Sequence, residues 1–230
     1  MKTRSFSFWI AHAVLLAACT FQPPHEIMAD AEGLPDGGTP PDAAIPIDML
    51  TAITITQNTS QTVATGHSVF CNSGTSTFRD HSWYRVFRPM DFGITNTFHI
   101  SRINFTSEQS LGSAVTVHVH DYTGVVDGTT LDTSKLSQIA EITGFVTDNP
   151  NPQDLHAPLV VDIPANTTFV VELSASDTRT TGGALITSFH PGGNEAGQLA
   201  RWYFKSGACG INIPVSQSGA DLILSVDGTF

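Results

Sequence analysis

Ser113-Ala114-Val115-Thr116-Val117-His118-Val119-His120 alternates apolar with polar residues along its length. Successive side chains of an extended strand leave opposite faces. Val115, Val117 and Val119 therefore share one face, and His118 and His120 the other. A helix cannot gather every second residue on one side, so the stretch predicts a half-buried β-strand. Outward from it, Ala52-Ile53-Thr54-Ile55-Thr56 alternates in the same way. Short runs rich in β-branched or aromatic residues recur at Phe98–Phe105, Ile139–Val146, Leu159–Ile163, Phe169–Leu173, Ala184–Phe189 and Leu222–Val226. Turn-forming groups separate them: Asp127-Gly128, Pro164-Ala165-Asn166, Gly182-Gly183, Pro191-Gly192-Gly193 and Asp227-Gly228. No window sustains a helical period with caps, and no solenoid or propeller repeat is visible. The expectation is an all-β domain over residues 51–230, an antiparallel β-sandwich or barrel. Residues 124–134 and 147–157, polar and carrying Gly or Pro, read as long loops.

The first fifty residues have a different texture. Lys2 and Arg4 precede an apolar run from Phe6 to Ala18, too short for a spanning helix of roughly 20 residues. A positive start, a short apolar core and small residues before a cleavage point make the layout of a secretory signal over residues 1–18. Residues 20–50 contain Pro23, Pro24, Pro35, Pro40, Pro41 and Pro46, six acidic residues, and no Lys or Arg. With little apolar surface to bury, such a segment reads as a disordered, extended acidic tether spanning residues 19–50.

Charge excludes one class of function. The chain carries 10 basic and 21 acidic residues; Lys2 and Arg4 fall in the signal, which leaves 8 against 21. Nucleic-acid binding needs a basic footprint, and this chain offers the opposite sign.

Leu16-Ala17-Ala18-Cys19 is similar to the lipobox of bacterial lipoproteins. That resemblance implies that Cys19 is lipidated and becomes the mature N-terminus, so that attachment to the membrane rests on its acyl chains. Thr20 rather than Asp after the cysteine implies, by likeness to enterobacterial sorting, the outer membrane or cell surface. Cys71 and Cys209 then remain as an even pair in an oxidising compartment, which reads as a disulfide. Two separate buried thiols are the alternative. Cys-x-x-Cys spacing occurs nowhere, which disfavours a cysteine zinc site.

Four further pieces resemble a β-sandwich module of secreted and surface proteins of bacteria. The first is Ile55-Thr56-Gln57-Asn58-Thr59-Ser60-Gln61-Thr62-Val63, running on to Val69-Phe70-Cys71-Asn72. The second is Ser82-Trp83-Tyr84-Arg85-Val86-Phe87, followed by Asp91-Phe92-Gly93-Ile94. Ile163-Pro164-Ala165-Asn166-Thr167-Thr168-Phe169-Val170-Val171-Glu172 is the third, and Ala208-Cys209-Gly210-Ile211 with a closing strand at Leu222–Asp227 the last. The resemblance implies a jelly-roll-like fold with the early and late cysteines paired. It implies an accessory domain without an assigned reaction, here with no catalytic domain attached.

Several clusters offer chemistry. His118 and His120, two apart on one strand, leave the same face and could bind zinc or copper if a third ligand joins them; a solvated polar face is the plainer reading. In Arg201-Trp202-Tyr203-Phe204-Lys205, alternation turns Trp202 and Phe204 inward and places Arg201, Tyr203 and Lys205 together. A tyrosine between two cations suits a sugar or a carboxylate, and is equally an outer face covered by long charged stems. Ser82–Arg88 carries aromatics on both faces, which fits a central strand covered on both sides, with Arg85 partly buried and paired to a carboxylate such as Asp91. Asp127 with Asp132 offers oxygen ligands for calcium without EF-hand spacing, and Asp148-Asn149-Pro150-Asn151 is as readily a turn. A Gly-x-Ser-x-Gly elbow is absent. No cofactor is expected beyond calcium or zinc at these places. The leading expectation is a lipid-anchored envelope protein displaying a non-catalytic binding or adhesion sandwich, its partner a glycan or an envelope protein. A metal-assisted hydrolase using His118 and His120, and a purely structural envelope component, are the alternatives.

Overall fold

The computed structural model describes residues 50–71, 80–176 and 188–230. The signal segment, Cys19, almost all of the tether, Asn72, Gly182-Gly183 and the start of the run at Ala184 lie outside the described residues. Within them the chain is all-β, with three short 3-10 turns at Pro89–Phe92, Thr133–Lys135 and Gly207–Cys209. No helix among the described residues is long and apolar enough to cross a membrane.

The first seven strands are β1 (Ala52–Thr56), β2 (His81–Phe87), β3 (Phe98–Leu111), β4 (Ser113–Tyr122), β5 (Leu136–Val146), β6 (Gln153–Ile163) and β7 (Phe169–Ala175). They are followed by β8 (Ser188–Pro191), β9 (Gly193–Asn194), β10 (Trp202–Ser206), β11 (Ile211–Ser216), β12 (Asp221–Leu222) and β13 (Leu224–Thr229). One sheet runs β1-β13-β3-β6, with β8 beside the far end of β3; the other runs β11-β10-β2-β7-β4-β5. Every pairing is antiparallel. Removing the β8–β12 insertion leaves β1-β13-β3-β6 facing β2-β7-β4-β5, the strand order of a jelly roll. The insertion contributes a two-stranded piece, β9 with β12, and lengthens the second sheet past β2. Residues 153–157, expected in a loop, instead open β6, because Gln153–Ala157 pair with Ile103–Ser107 of a β3 that runs to Leu111.

The inward faces make the core. Val115, Val117 and Val119 of β4 lie with Val171 and Leu173 of β7, Trp83 and Phe87 of β2, and Trp202 and Phe204 of β10. Ile100, Ile103 and Phe105 of β3 and Val226 of β13 face them from the other sheet. Each large side chain so buried contributes about 1.5–3 kcal/mol. Trp83 meets Phe189 edge-on, as Phe105 does. Cys71 and Cys209 are bonded, with Cα atoms 5.7 Å apart, and tie the segment before β2 to the turn after β10.

A second, smaller cluster sits on the outer face of the six-stranded sheet. Tyr84, Val86, Tyr122, Val170 and Tyr203 pack there beneath Leu131. The connection from β4 to β5 folds back over them. It is pinned by the Leu131 N–H donating to Pro214 O (3.0 Å), the Tyr203 hydroxyl donating to Gly128 O (3.1 Å) and the Tyr122 hydroxyl donating to Val125 O (3.1 Å).

Candidate functional site

Three loops meet at one end of the six-stranded sheet and border an open pocket of about 590 Å³. Asp127 comes from the β4–β5 connection, Gln198, Leu199 and Arg201 from the segment before β10, and Ser216, Gln217 and Ser218 from the end of β11. Main-chain bonds fix the loops together: Ser216 N–H donates to Thr129 O (2.9 Å) and Gln217 N–H to Trp202 O (3.1 Å). Leu199 N–H donates to Gln57 O (2.7 Å). Asp127 takes a left-handed φ of 68°, a conformation that Asp tolerates better than most residues, and so turns the chain at the pocket rim.

The lining mixes a guanidinium, a carboxylate, two carboxamides and two hydroxyls with one exposed leucine, Leu199. Carboxamides both donate and accept, the carboxylate only accepts and the guanidinium only donates. Arg201 Nη1 donates to Ser216 Oγ at 3.3 Å, which holds its head at the rim. Gln198 links the pocket to Arg85, which is fully buried and donates to Gln57 Oε1 (3.2 Å), Gln198 Oε1 (3.4 Å) and the Leu222 carbonyl. Burial lowers the Arg85 pKa to about 9, against the attraction of Asp221. Arg85 is therefore buried completely rather than in part, and the carboxylate suggested for it is elsewhere: Asp91 accepts from Arg88 Nε at 2.8 Å.

Of the residues singled out in the sequence, Arg201 lines the pocket. Tyr203 lies on the outward face but is covered by the 123–135 segment, leaving 1% of it exposed, and its ring presents no stacking surface. Burial and the Asp127 charge both push its phenol up. Lys205, half-buried, stands beside Ser82 of β2.

His118 and His120 share the outward face of β4, with ring centres 5.8 Å apart. His120 Nε2 lies 3.0 Å from Glu172 Oε2, and His118 Nδ1 lies 3.1 Å from Gln138 Oε1 and 3.4 Å from Glu141 Oε2. Burial raises the Glu172 carboxyl, but hydrogen bonds from His120, Ser82 and Tyr84 and the charge of His120 outweigh it and hold the group low. Among the described residues, no group of three or more His, Cys, Asp or Glu is placed to hold a metal ion. Asp132 accepts from the Ser134 N–H and hydroxyl and so caps the short turn that follows, rather than pairing with Asp127. Asn149 accepts from Asn151 N–H in a side-chain turn.

Gln198 and Gln217 carry no motif; only the convergence of distant loops makes them neighbours. The class these observations define is a disulfide-linked jelly-roll sandwich with a polar pocket among its end loops. Compared with models of protein families, with curated proteins and with solved structures, the chain matches none.

Proposed function

We propose that the protein is a lipid-anchored envelope protein whose sandwich is a non-catalytic binding module, and that its ligand is a glycan held in the pocket of Asp127, Gln198, Arg201 and Gln217. The observation that carries this reading is the composition of that pocket. Carboxylate, guanidinium and carboxamide groups placed around one cavity match the paired donors and acceptors of vicinal hydroxyls, and Leu199 offers an apolar flank for a sugar C–H face. The volume falls within the range of roughly 300–1,000 Å³ usual for ligand sites. The lipobox-like Leu16-Ala17-Ala18-Cys19 and the Pro-rich segment after it support display on a tether at the outer membrane or cell surface.

Affinity electrophoresis and array binding against envelope, plant and algal polysaccharides, with and without chelator, test the reading. Saturable binding that falls with Arg201→Ala and Gln217→Ala is expected, unchanged by chelator. Retention on none of the glycans overturns the carbohydrate ligand and leaves a protein partner. Binding that chelator abolishes overturns the metal-free site.

A further inference from the structure

The second site lies on the opposite edge of the six-stranded sheet, and its lining shares no residue with the end-loop pocket. β5 closes that sheet on one side, and among the described residues no strand pairs with its outer backbone edge. Proteins guard such edges with short strands, proline, lysine or bulges. The sandwich guards its other edges in this way: β1 has five residues, β6 carries Pro158, and β11 carries Pro214 and bonds to the 129–131 segment. β5 has eleven residues, Leu-Ser-Gln-Ile-Ala-Glu-Ile-Thr-Gly-Phe-Val, with neither proline nor a basic residue; its one register shift falls at Ile139, and Ala140–Val146 run on in unbroken register with β4. Ile139 and Phe145 on it are 37% and 70% exposed.

The same strand borders a hole in the core. Ala140 and Ile142 pack inward, Val146 belongs to the core, and Gly144 shares their face. A Cβ placed on Gly144 would meet no atom within 4 Å. The space in front of it is a largely apolar cavity of about 120 Å³, bounded by Phe105, Val115, Val117, Ile142, Leu155 and Ala157, with Thr143 and His156 also in its lining, and open between β5 and β6. It is comparable to an engineered apolar cavity of about 150 Å³ that takes up benzene. Gly144 has no left-handed φ that would require glycine. A larger residue would fill the hole and raise strand propensity, so its absence removes packing that the backbone permits.

We infer that β5 receives an added strand: an extended segment of a partner protein pairs with its free backbone edge and inserts one large apolar side chain into the cavity at Gly144. Strand addition takes its affinity from main-chain hydrogen bonds and its selectivity from pockets for alternate side chains, and both halves are present on this edge. The partner segment is cationic on its other face. Glu141, on an exposed position, is the charged side chain of β5, and the chain as a whole has a formal charge of −11. That balance disfavours a second copy of this chain as the occupant.

The test uses labelled octapeptides of alternating Thr and Lys around a central Gly, Ala, Leu or Phe, titrated into the purified protein by fluorescence anisotropy. A matching set carries Glu in place of Lys. Leu or Phe at the centre is expected to bind at least about tenfold more tightly than Gly, with Lys favoured over Glu, and to slow amide exchange across Leu136–Val146. Gly144→Leu is expected to lose that preference while melting no lower than the parent. Should that variant fail to fold, Glu141→Lys, on an exposed position, is expected to reverse the Lys-over-Glu order. Absence of saturable binding up to about 1 mM overturns the inference. So does equal affinity for Gly and Leu, or exchange protection away from β5. A concentration-dependent dimer whose β5 amides are protected without peptide assigns the edge to a second copy and overturns the partner segment.

Discussion

The fully buried Arg85 guanidinium donates to Gln198 Oε1 at 3.4 Å, so one lining residue of the end-loop pocket is tied to the middle of the six-stranded sheet. Arg85→Met keeps the stem and removes the donors, stranding Gln57 Oε1 and the Leu222 carbonyl in the interior. Buried acceptors left without a partner cost about 1–3 kcal/mol each. A loss of roughly 3 kcal/mol or more is expected in urea unfolding, together with weaker glycan retention than any single rim substitution gives. An unchanged midpoint would show that the guanidinium is dispensable.

The chain has three tyrosines, Tyr84, Tyr122 and Tyr203, and all are buried with raised pKa values. Burial is the largest cause in each; the charge of Glu172 adds to it at Tyr84 and that of Asp127 at Tyr203, while at Tyr122 burial outweighs a backbone hydrogen bond at Asp132 that pulls the other way. A phenol with a raised folded pKa binds its proton more tightly in the folded state. Its stabilising effect is complete below the unfolded pKa of about 10 and is lost as pH rises above that value. Absorbance at 295 nm should therefore show no tyrosine ionising in the native protein near pH 10, and all three ionising together when the fold is lost. A separate early phase would place one ring in solvent.

At the acid end the sign reverses. Glu172 is held low chiefly by hydrogen bonds from His120, Ser82 and Tyr84, which overcome the opposing effect of its burial. Its contribution is present above the ordinary Glu value and disappears as pH falls through the lowered one. Glu172→Gln is expected to flatten the decline of stability below about pH 4.5 and to cost about 1–3 kcal/mol at pH 7. Parallel acid-unfolding curves for parent and variant would remove Glu172 from the acid limb.

The Cys71–Cys209 bond closes a separation of 138 residues. Opening it in a Cys71→Ser, Cys209→Ser double variant should cost up to about 5 kcal/mol in the chain-entropy model. Guanidinium unfolding of the two proteins measures the difference. A loss under about 1 kcal/mol would mean that the unfolded ensemble stays compact without the bond.

How much of this could be read beforehand follows from the range of each interaction. The period of two in β4 is local, so the inward valines and outward histidines were legible from eight residues. Trp202 and Tyr203 separate to opposite faces for the same reason. Period says nothing of what lies above a face, and Tyr203 is covered by a loop some seventy residues earlier in the chain. Polar Gln153, Asp154 and His156 around the lone Leu155 hid the start of β6, because an edge strand with one wet face needs few apolar residues. Asp127, Gln198 and Gln217 meet only after three loops converge. The jelly-roll order rests on pairings such as Ala52 with Thr229, which no local pattern encodes.

Thr51 and Phe230 exchange two backbone hydrogen bonds, of 2.9 and 3.1 Å, at the outer end of the β1–β13 ladder. The two ends of the sandwich are thus neighbours on one rim. Pulled apart there, the ladder parts one pair at a time, each bond bearing the whole load in turn, like a zipper opened from its end. Joined there by a short link, the same sandwich can be cut open at an exposed loop elsewhere, or set as a single insert within another chain, without changing the order of its strands.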